Sequence, residues 1–208
     1  MKVLYDHQIF EKQAYGGISR YFYELMRHIS SNTGIDYELS LKYSRNRYIL
    51  DSCLFNNIKS IPMQNKIPGN ISFPGKAKLH RMLKYAGFAL NPEKENLMLS
   101  LQIIENKKYQ IFHPTYYSDY FLNHLGAIPF VLTVYDMIHE KYMKMYKQYN
   151  DSTINKKRIL ALKAHKIIAI SENTKRDIID ILDIDPKKIE VIYLANSLQN
   201  YNSSENII

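Results

Sequence analysis

Short apolar runs alternate along most of the chain with stretches in which apolar residues recur every three or four positions. The short runs predict strands at residues 2–5, 37–42, 109–112, 130–134, 167–170 and 189–194. Strands that are short, continuously apolar and separated by helices are typical of a parallel sheet covered on both faces. We therefore predict a doubly wound α/β domain with a mainly parallel sheet.

The stretches with helical spacing predict helices at residues 18–29, 76–90, from 92 onward, 118–125, 152–165 and 171–182. Asn91 and Pro92 supply an N-cap and a first-turn proline to the third of them. The apolar residues of that helix that we expect to face the core are Leu97, Leu101 and Ile104. Ser171 is a capping residue for the last one.

Residues 43–75 lack periodicity, and we predict a long excursion across the mouth of the sheet. The helix that follows, at 76–90, carries Lys78, Arg81 and Lys84 on the face opposite its apolar side. Basic groups beside apolar ones suit contact with an anionic bilayer surface, although a solvated helix face is the commoner meaning of such a pattern.

Size and composition fit one soluble α/β domain over residues 1–195, followed by a polar tail at 196–208. Cys53 is the single cysteine, so no internal disulfide asks for an oxidising compartment, and the cytoplasm is the default location. The net charge is +8 and accompanies 18 tyrosines. This balance suits an anionic partner, which could be nucleic acid, a bilayer or a phosphorylated substrate.

Two strand ends carry candidate ligand-binding groups, because ligands of doubly wound sheets gather at the carboxyl ends of the strands. Gly16 and Gly17 precede a helix, where they allow either a tight turn with positive φ or the close approach of a phosphate or hydroxyl. His113, Tyr116 and Tyr117 follow the strand at 109–112. They suit the stacking and polar recognition of a sugar ring, or else they pack beneath the loop.

Two further strand ends carry carboxylates. Asp136 and His139 follow the strand at 130–134, in positions suited to accepting a hydroxyl proton or binding sugar hydroxyls. A metal site is disfavoured there, because a strand end does not project its residues onto one face as helical spacing would. Glu172 follows the capping Ser171 and can line a cleft.

Several segments together resemble the bacterial GT-B glycosyltransferases of family four, also called group one. The likeness lies in residues 4–10 (LYDHQIF), 15–22 (YGGISRYF), 113–117 (HPTYY), 133–140 (TVYDMIHE), 170–179 (ISENTKRDII) and 185–193 (DPKKIEVIY). These segments occur in family order and at family-like spacing across nearly the whole chain.

The resemblance implies a Rossmann-like N-terminal domain that binds the acceptor at residues 1–195, with an interdomain linker beginning in 196–208. By the same resemblance, we expect the C-terminal domain that would bind the nucleotide sugar to be absent from this sequence. Asp136 matches the aspartate of the family's His-Asp pair, while Tyr135 takes the position of the histidine. We expect Asp136 and His139 to be catalytic, and acceptor or phosphate contacts from Gly16, Gly17, Arg20, His113, Tyr116, Tyr117, Tyr135 and Glu172.

The function implied by the resemblance is retaining transfer of a sugar from a nucleotide sugar to a saccharide or lipid-linked saccharide, in surface polysaccharide or lipopolysaccharide synthesis. The resemblance implies no metal or other cofactor, and peripheral contact with the inner face of the cell membrane would explain Lys78, Arg81 and Lys84. The alternative is a non-catalytic saccharide-binding or scaffolding domain. Nucleic-acid binding lacks a recognised motif, and the first glycine loop is not the Gly-x-Gly-x-x-Gly of a dinucleotide oxidoreductase.

Overall fold

The computed structural model describes residues 1–32, 34–61, 91–142 and 152–195. Its strands are β1 (Lys2–Asp6), β2 (Asp36–Ser40), β3 (Tyr43–Ser44), β4 (Lys59–Ser60), β5 (Ile111–His113), β6 (Val131–Val134), β7 (Lys166–Ala169) and β8 (Ile189–Val191). Its helices are α1 (Gln8–Lys12), α2 (Gly17–Asn32), α3 (Arg47–Leu50), α4 (Pro92–Asn106), α5 (Ile138–Tyr142), α6 (Ser152–Lys163) and α7 (Glu172–Leu182). Short 3₁₀ turns occupy Cys53–Phe55 and Pro186–Lys188.

The main sheet consists of two parallel three-stranded parts, β2-β1-β5 and β6-β7-β8. They meet at one parallel bridge between Phe112 and Phe130, where the Phe112 N–H donates to the Pro129 carbonyl at 3.1 Å. The chain moves from β1 outward to β2 and then returns to the other side of β1 as β5. The order of the strands therefore reverses between β1 and β5, which makes their carboxyl ends a topological switch point.

Apolar clusters cover both faces of the sheet. Successive side chains of a strand point to opposite faces, and along β1 Val3 and Tyr5 belong to one cluster while Leu4 belongs to the other. Helix α2 contributes Phe22 to the first cluster. Helices α4, α6 and α7 contribute to the second cluster through Ile104, Leu160, Ala161, Ile178 and Leu182. This arrangement confirms the predicted doubly wound, parallel α/β sheet.

Helix α4 begins as predicted, with the Asn91 side chain accepting from the Lys94 N–H at 3.3 Å. Its buried face, however, consists of Pro92, Asn96, Ser100 and Ile104, whereas Leu97 and Leu101 are half-buried. Asn96 is buried because its amide oxygen accepts the backbone N–H groups of Lys42 and Tyr43, and its Nδ2 donates to the Tyr43 carbonyl. The expectation that Leu97 and Leu101 fill the core was therefore wrong. The backbone of Lys42 and Tyr43, just after β2, needs a polar side chain on the buried face of α4, and Asn96 provides it.

Two local predictions differ from the structure. Residues 118–125 form no helix but contain a turn at 120–124, with Phe121 and Leu125 buried in the core. Residues 43–61 were predicted to lack structure but contain β3, α3 and β4, held in part by Asn46, whose side chain accepts from the Ile49 N–H and donates to the Gln13 carbonyl. A four-residue helix and two-residue strands are too short to show a periodicity that could be recognised in sequence.

The predicted helix at 76–90, with Lys78, Arg81 and Lys84, lies outside the described residues, as does the tail at 196–208. In the part of the chain that is described, no helix combines the length and the apolar character that crossing a membrane requires.

Candidate functional site

The carboxyl end of β1 is occupied by Asp6, whose side chain is completely buried. Its carboxylate accepts four hydrogen bonds, from the Thr115 N–H and hydroxyl at 2.9 and 2.7 Å, from Gln8 Nε2 at 2.6 Å and from Tyr120 Oη at 3.1 Å. Thr115 and Tyr120 belong to the loop after β5. A buried carboxylate is tolerated where donors surround it, and here those donors join the two loops of the switch point.

Gln8 and Thr115 extend this connection. Gln8 Oε1 accepts from the Ser118 N–H at 2.7 Å, and the Ile9 N–H donates to Thr115 Oγ1 at 3.1 Å. Thr115 thereby binds an N–H group in the first turn of α1 that the short helix leaves unpaired, while Gln8 binds the backbone of the loop after β5. The two loops therefore form one rigid polar layer.

His7 lies between Asp6 and Gln8 and is only 7% exposed. Its Nδ1 is 2.7 Å from Ser100 Oγ, and Ser100 in turn lies 2.8 Å from Ser40 Oγ at the end of β2. Nε2, on the other side of the ring, is 4.0 Å from Oε2 of Glu11, and the ring packs against Tyr120 with centroids 5.5 Å apart. The imidazole is thus held in one orientation.

A cleft of about 340 Å³ opens above this layer, and we call it the switch-point cleft. Its lining comprises His7, Gln8, Glu11, Lys12, Glu93, Leu97, Tyr116, Tyr117, Ser118, Tyr120, Thr153 and Lys156. Leu97 is the one aliphatic side chain in this lining, whereas aromatic rings, hydroxyls and charges of both signs make up most of the remainder. Lys12 Nζ stands 4.4 Å above the centre of the Tyr116 ring. Such a surface offers both stacking faces and hydrogen-bonding groups.

Of the predicted site residues, Tyr116 and Tyr117 belong to this lining. Tyr117 is also a support for the neighbouring strand end, because its hydroxyl accepts from the Tyr135 N–H at 3.3 Å. Burial raises the pKa of the Tyr117 phenol, which keeps it in its neutral form.

Tyr135 does not belong to the lining of the cleft, and its ring is 5.9 Å from that of Tyr21. Its hydroxyl is buried and has no hydrogen-bond partner among the described residues, and burial raises the pKa of this phenol well above its usual value. The Tyr135 side chain packs against both apolar clusters.

A buried ion pair stands at the end of β6. The side chains of Lys157 and Glu140 are each 4% exposed, and Lys157 Nζ donates to Glu140 Oε2 and to the Asp136 carbonyl, both at 3.1 Å. Glu140 Oε1 is 3.0 Å from the same Nζ but receives no hydrogen bond from the described residues. Lys157 also lies 5.0 Å from the centre of the Tyr117 ring, so it connects this strand end to the cleft.

Asp136 and His139 both lie where β6 leads into α5. Asp136 is half-buried, and its Oδ1 accepts from the N–H of Ile138, the first residue of α5, at 3.2 Å. His139 is exposed within that helix. Among the described residues, no group of three or more His, Cys, Asp or Glu side chains is arranged to hold a metal ion. The catalytic assignment of Asp136 and His139 stays a prediction.

Gly16 precedes α2 and Gly17 is its first residue, and neither has a positive φ, so a left-handed turn does not explain them. A Cβ on Gly16 would collide with the Gln13 amide, which accepts from the Ser19 N–H at 3.3 Å, whereas a Cβ on Gly17 would meet open space. Arg20 and Glu172 are exposed in the first turns of α2 and α7. These four residues do not belong to the lining described for the cleft.

His113 lies in the core rather than at a surface. It packs against Tyr5 and Phe22, with ring centroids 5.4 and 5.1 Å away, and its Nε2 is 2.9 Å from Thr133 Oγ1. Complete burial lowers the pKa of the imidazole to about 3. This environment gives His113 a packing role in the described fold.

Sequence reasoning missed the residues that form most of the cleft, above all His7, Gln8 and Ser118. The signal was available in part, since Asp6, His7 and Gln8 are three consecutive polar residues directly after an apolar strand. What could not be read from one sequence was the strand order that places this turn beside the loop after β5.

The chain as a whole can be compared with known proteins. The lipopolysaccharide outer core galactosyltransferase WaaB in its apo form matches over 96% of this chain and 47% of its own, with 14% identity and a TM-score of 0.49. UDP-GlcNAc 2-epimerase from Neisseria meningitidis, bound to UDP-GlcNAc, matches over 92% of this chain and 46% of its own, with 14% identity and a TM-score of 0.48. The chain therefore spans about half the length of these solved structures.

No curated protein sequence matches the chain significantly. The sequence profile described as Glycosyltransferase Family 4 matches residues 15–195, which includes α2, the loop after β5 and every element from β6 to β8. A match over that share of the chain confirms the resemblance read from the sequence. The chain belongs to glycosyltransferase family 4.

Proposed function

We propose that this domain binds the acceptor of a glycosyltransferase, and that the acceptor is a saccharide or a lipid-linked saccharide held in the switch-point cleft. The single observation that carries the proposal is the composition of this cleft. In a domain of a glycosyltransferase family, tyrosine rings and hydrogen-bonding side chains converge where the strand order reverses.

The chemistry of the lining suits a sugar. A pyranose presents apolar C–H faces and a rim of hydroxyls, so it needs flat aromatic surfaces beside both donors and acceptors. Tyr116 and Tyr120 supply rings, while His7, Gln8 and Glu11 supply polar atoms. The rigid layer beneath them keeps these groups in place before the ligand arrives, which lowers the entropic cost of binding.

For the reaction, we propose transfer from a nucleotide sugar with retention of configuration, using a second, donor-binding domain of the GT-B type. Asp136 and His139 would then act where β6 ends. The absence of a metal requirement stays part of this proposal, as does peripheral membrane contact through Lys78, Arg81 and Lys84. We further propose that this transfer reaction belongs to surface polysaccharide or lipopolysaccharide synthesis.

Acceptor binding can be tested on the chain itself by NMR titration with methyl α-glucopyranoside, methyl α-galactopyranoside and methyl α-mannopyranoside. We expect at least one glycoside to shift resonances of Tyr116, Tyr120 and their neighbours. Tyr116→Ala should weaken that binding roughly fivefold, because a stacking face is lost. Tyr15→Ala is the matched control, since Tyr15 is 67% exposed and does not line the cleft. Glycosides that leave the cleft resonances unchanged would contradict acceptor binding.

Transfer is tested by adding a donor-binding C-terminal domain of the family in trans and screening nucleotide sugars for consumption. We expect consumption to need both parts and to fall when Asp136→Asn removes the carboxylate. If no nucleotide sugar is consumed while a glycoside still binds in the cleft, the chain is a saccharide-binding domain without transferase activity.

A further inference from the structure

The switch-point cleft contains one buried imidazole with a fixed orientation. His113 is enclosed in the core and His139 is exposed on α5, whereas His7 is both buried and part of the cleft lining. Its Nδ1 points away from the cleft, toward Ser100, and its Nε2 lies on the side of Glu11, which also lines the cleft.

Ser100 links His7 to the end of β2 and bears on which ring nitrogen carries the proton. The Ser40 carbonyl, 3.0 Å away, is placed to accept the one proton of Ser100 Oγ. In that arrangement Ser100 only accepts from His7 Nδ1, 2.7 Å away, while the Ser40 hydroxyl has two acceptors within reach, Ser100 Oγ at 2.8 Å and the Tyr5 carbonyl at 3.2 Å. The neutral His7 then carries its proton on Nδ1.

With Nδ1 protonated, Nε2 presents a bare lone pair to the cleft. A bare imidazole nitrogen accepts a hydrogen bond from a hydroxyl, and a sugar is rich in hydroxyls. Glu11 stands 4.0 Å from Nε2 and is itself held by Asn96 Nδ2 at 2.9 Å, so two acceptors of fixed position lie side by side. Two adjacent acceptors suit a pair of neighbouring hydroxyl groups.

We propose that His7, through Nε2, is the acceptor that binds a hydroxyl group of the saccharide in the switch-point cleft, and that Ser100 is a positioning residue that sets its tautomer. The proposal rests on the proposed function, because it assumes a saccharide in this cleft. It assigns His7 a binding role that neither the family motifs quoted above nor the sequence-based site prediction gave it.

The first test needs no ligand. Long-range ¹H–¹⁵N NMR spectra of the full chain at pH 8 should show His7 with a protonated Nδ1 and a bare Nε2. Ser100→Ala should shift His7 toward a mixture of the two tautomers, since the partner of Nδ1 is gone. A wild-type His7 that carries its proton on Nε2 overturns the proposal.

The second test uses the three methyl glycosides with His7→Asn. The asparagine amide can stay near Ser100, where Nδ1 was, but it lacks an atom at the position of Nε2. We expect glycoside affinity to fall roughly threefold to tenfold, as for the loss of one hydrogen bond, with the thermal midpoint nearly unchanged. His124→Asn is the matched control, because His124 pairs with Glu105 away from the cleft and should bind as the wild type does.

The outcomes separate the two proposals. Glycosides that bind the cleft of His7→Asn as tightly as the wild-type cleft overturn the role of His7 and leave the proposed function intact. Glycosides that fail to perturb the cleft of the wild-type chain overturn the proposed function, and the role of His7 with it. Weakened binding in His7→Asn, with the predicted tautomer in the wild type, supports both.

Discussion

Asp6 and Thr115 are 109 residues apart in sequence, yet Thr115 donates both its backbone N–H and its hydroxyl to the same carboxylate oxygen of Asp6. The contact joins the carboxyl ends of β1 and β5, the two parallel strands between which the strand order of the sheet reverses. Because the carboxylate is completely buried, no water can take its place as the acceptor for either Thr115 donor.

Asp6→Asn should therefore destabilise the domain by roughly 2–3 kcal/mol, since an amide NH₂ would face groups that themselves donate. Urea unfolding followed by circular dichroism measures this change. Asp51→Asn is the control, because Asp51 forms an exposed pair with Arg47 and its loss should cost within about 0.5 kcal/mol. Equal stability of the two variants would show that Asp6 is not the connection between the loops.

The buried His113 predicts how stability depends on pH. Its folded-state pKa is about 3, against 6.5 for the ordinary group, so between these values the unfolded chain binds a proton that the folded chain does not. The contribution of His113 to the free energy of unfolding is therefore fully present above pH 6.5 and is lost as the pH falls toward 3. The slope from this group approaches about 1.4 kcal/mol per pH unit.

Urea unfolding of the wild type and of His113→Gln at pH 7.5, 6 and 5 tests the slope. The variant is less stable at pH 7.5 because it disturbs the core, but the difference should shrink at pH 5, since glutamine does not titrate. His28→Gln, at an exposed position, should retain the wild-type slope. A difference that stays constant with pH would mean that His113 is accessible to protons in the fold.

The Lys157–Glu140 pair predicts a strong coupling. Lys157→Met leaves the Glu140 carboxylate buried without a cation, and we expect a loss of roughly 3–5 kcal/mol. Adding Glu140→Met should restore part of that loss, because the double variant leaves no buried charge. A double-mutant cycle by chemical denaturation measures the coupling.

The pair of Lys141 with Asp177, at 2.7 Å, provides the comparison for this cycle. Lys141 is exposed to solvent, so its removal should change stability far less than removal of Lys157. Additive effects of Lys157→Met and Glu140→Met would indicate that water enters the end of β6 and screens the two charges.

The two glycines at the start of α2 should respond differently to the same change. Gly16→Ala pushes aside the Gln13 amide that caps the Ser19 N–H, and we expect a loss of about 1 kcal/mol. Gly17→Ala meets open space and should be neutral or slightly stabilising, since alanine favours the helix. Thermal unfolding distinguishes them, and a reversed order would contradict the capping role of Gln13.

Most of the sheet was predictable because its strands are buried on both faces. Residues 130–134 and 167–170 are continuously apolar or nearly so, and the structure contains β6 and β7 within one residue of these bounds. The cap of α7 was predictable for a different reason. A serine directly before a helical repeat is typical of an N-cap, and Ser171 accepts from the Thr174 N–H at 3.1 Å.

The cleft was less predictable, because it depends on contacts between residues that are distant in sequence. Tyr116 and Tyr117 were recognised from their density beside a strand end, whereas His7 and Ser118 gain their meaning only when β5 lies next to β1. The buried face of α4 was mispredicted for a related reason. Asn96 is a polar residue, yet it is buried because its side chain accepts from the backbone N–H groups of Lys42 and Tyr43. No local sequence pattern reveals that contact.

The bridge between Phe112 and Phe130 has a mechanical consequence. Every other neighbouring pair of strands in the main sheet shares a ladder of at least three residue pairs, so the sheet is least restrained where β5 meets β6. The cleft straddles this junction, with Thr153 and Lys156 contributed by the segment between β6 and β7. A ligand that contacts both sides of the cleft should hold β5 and β6 together where the sheet has the fewest paired residues. Its binding should therefore slow deuterium uptake at the Phe112 amide.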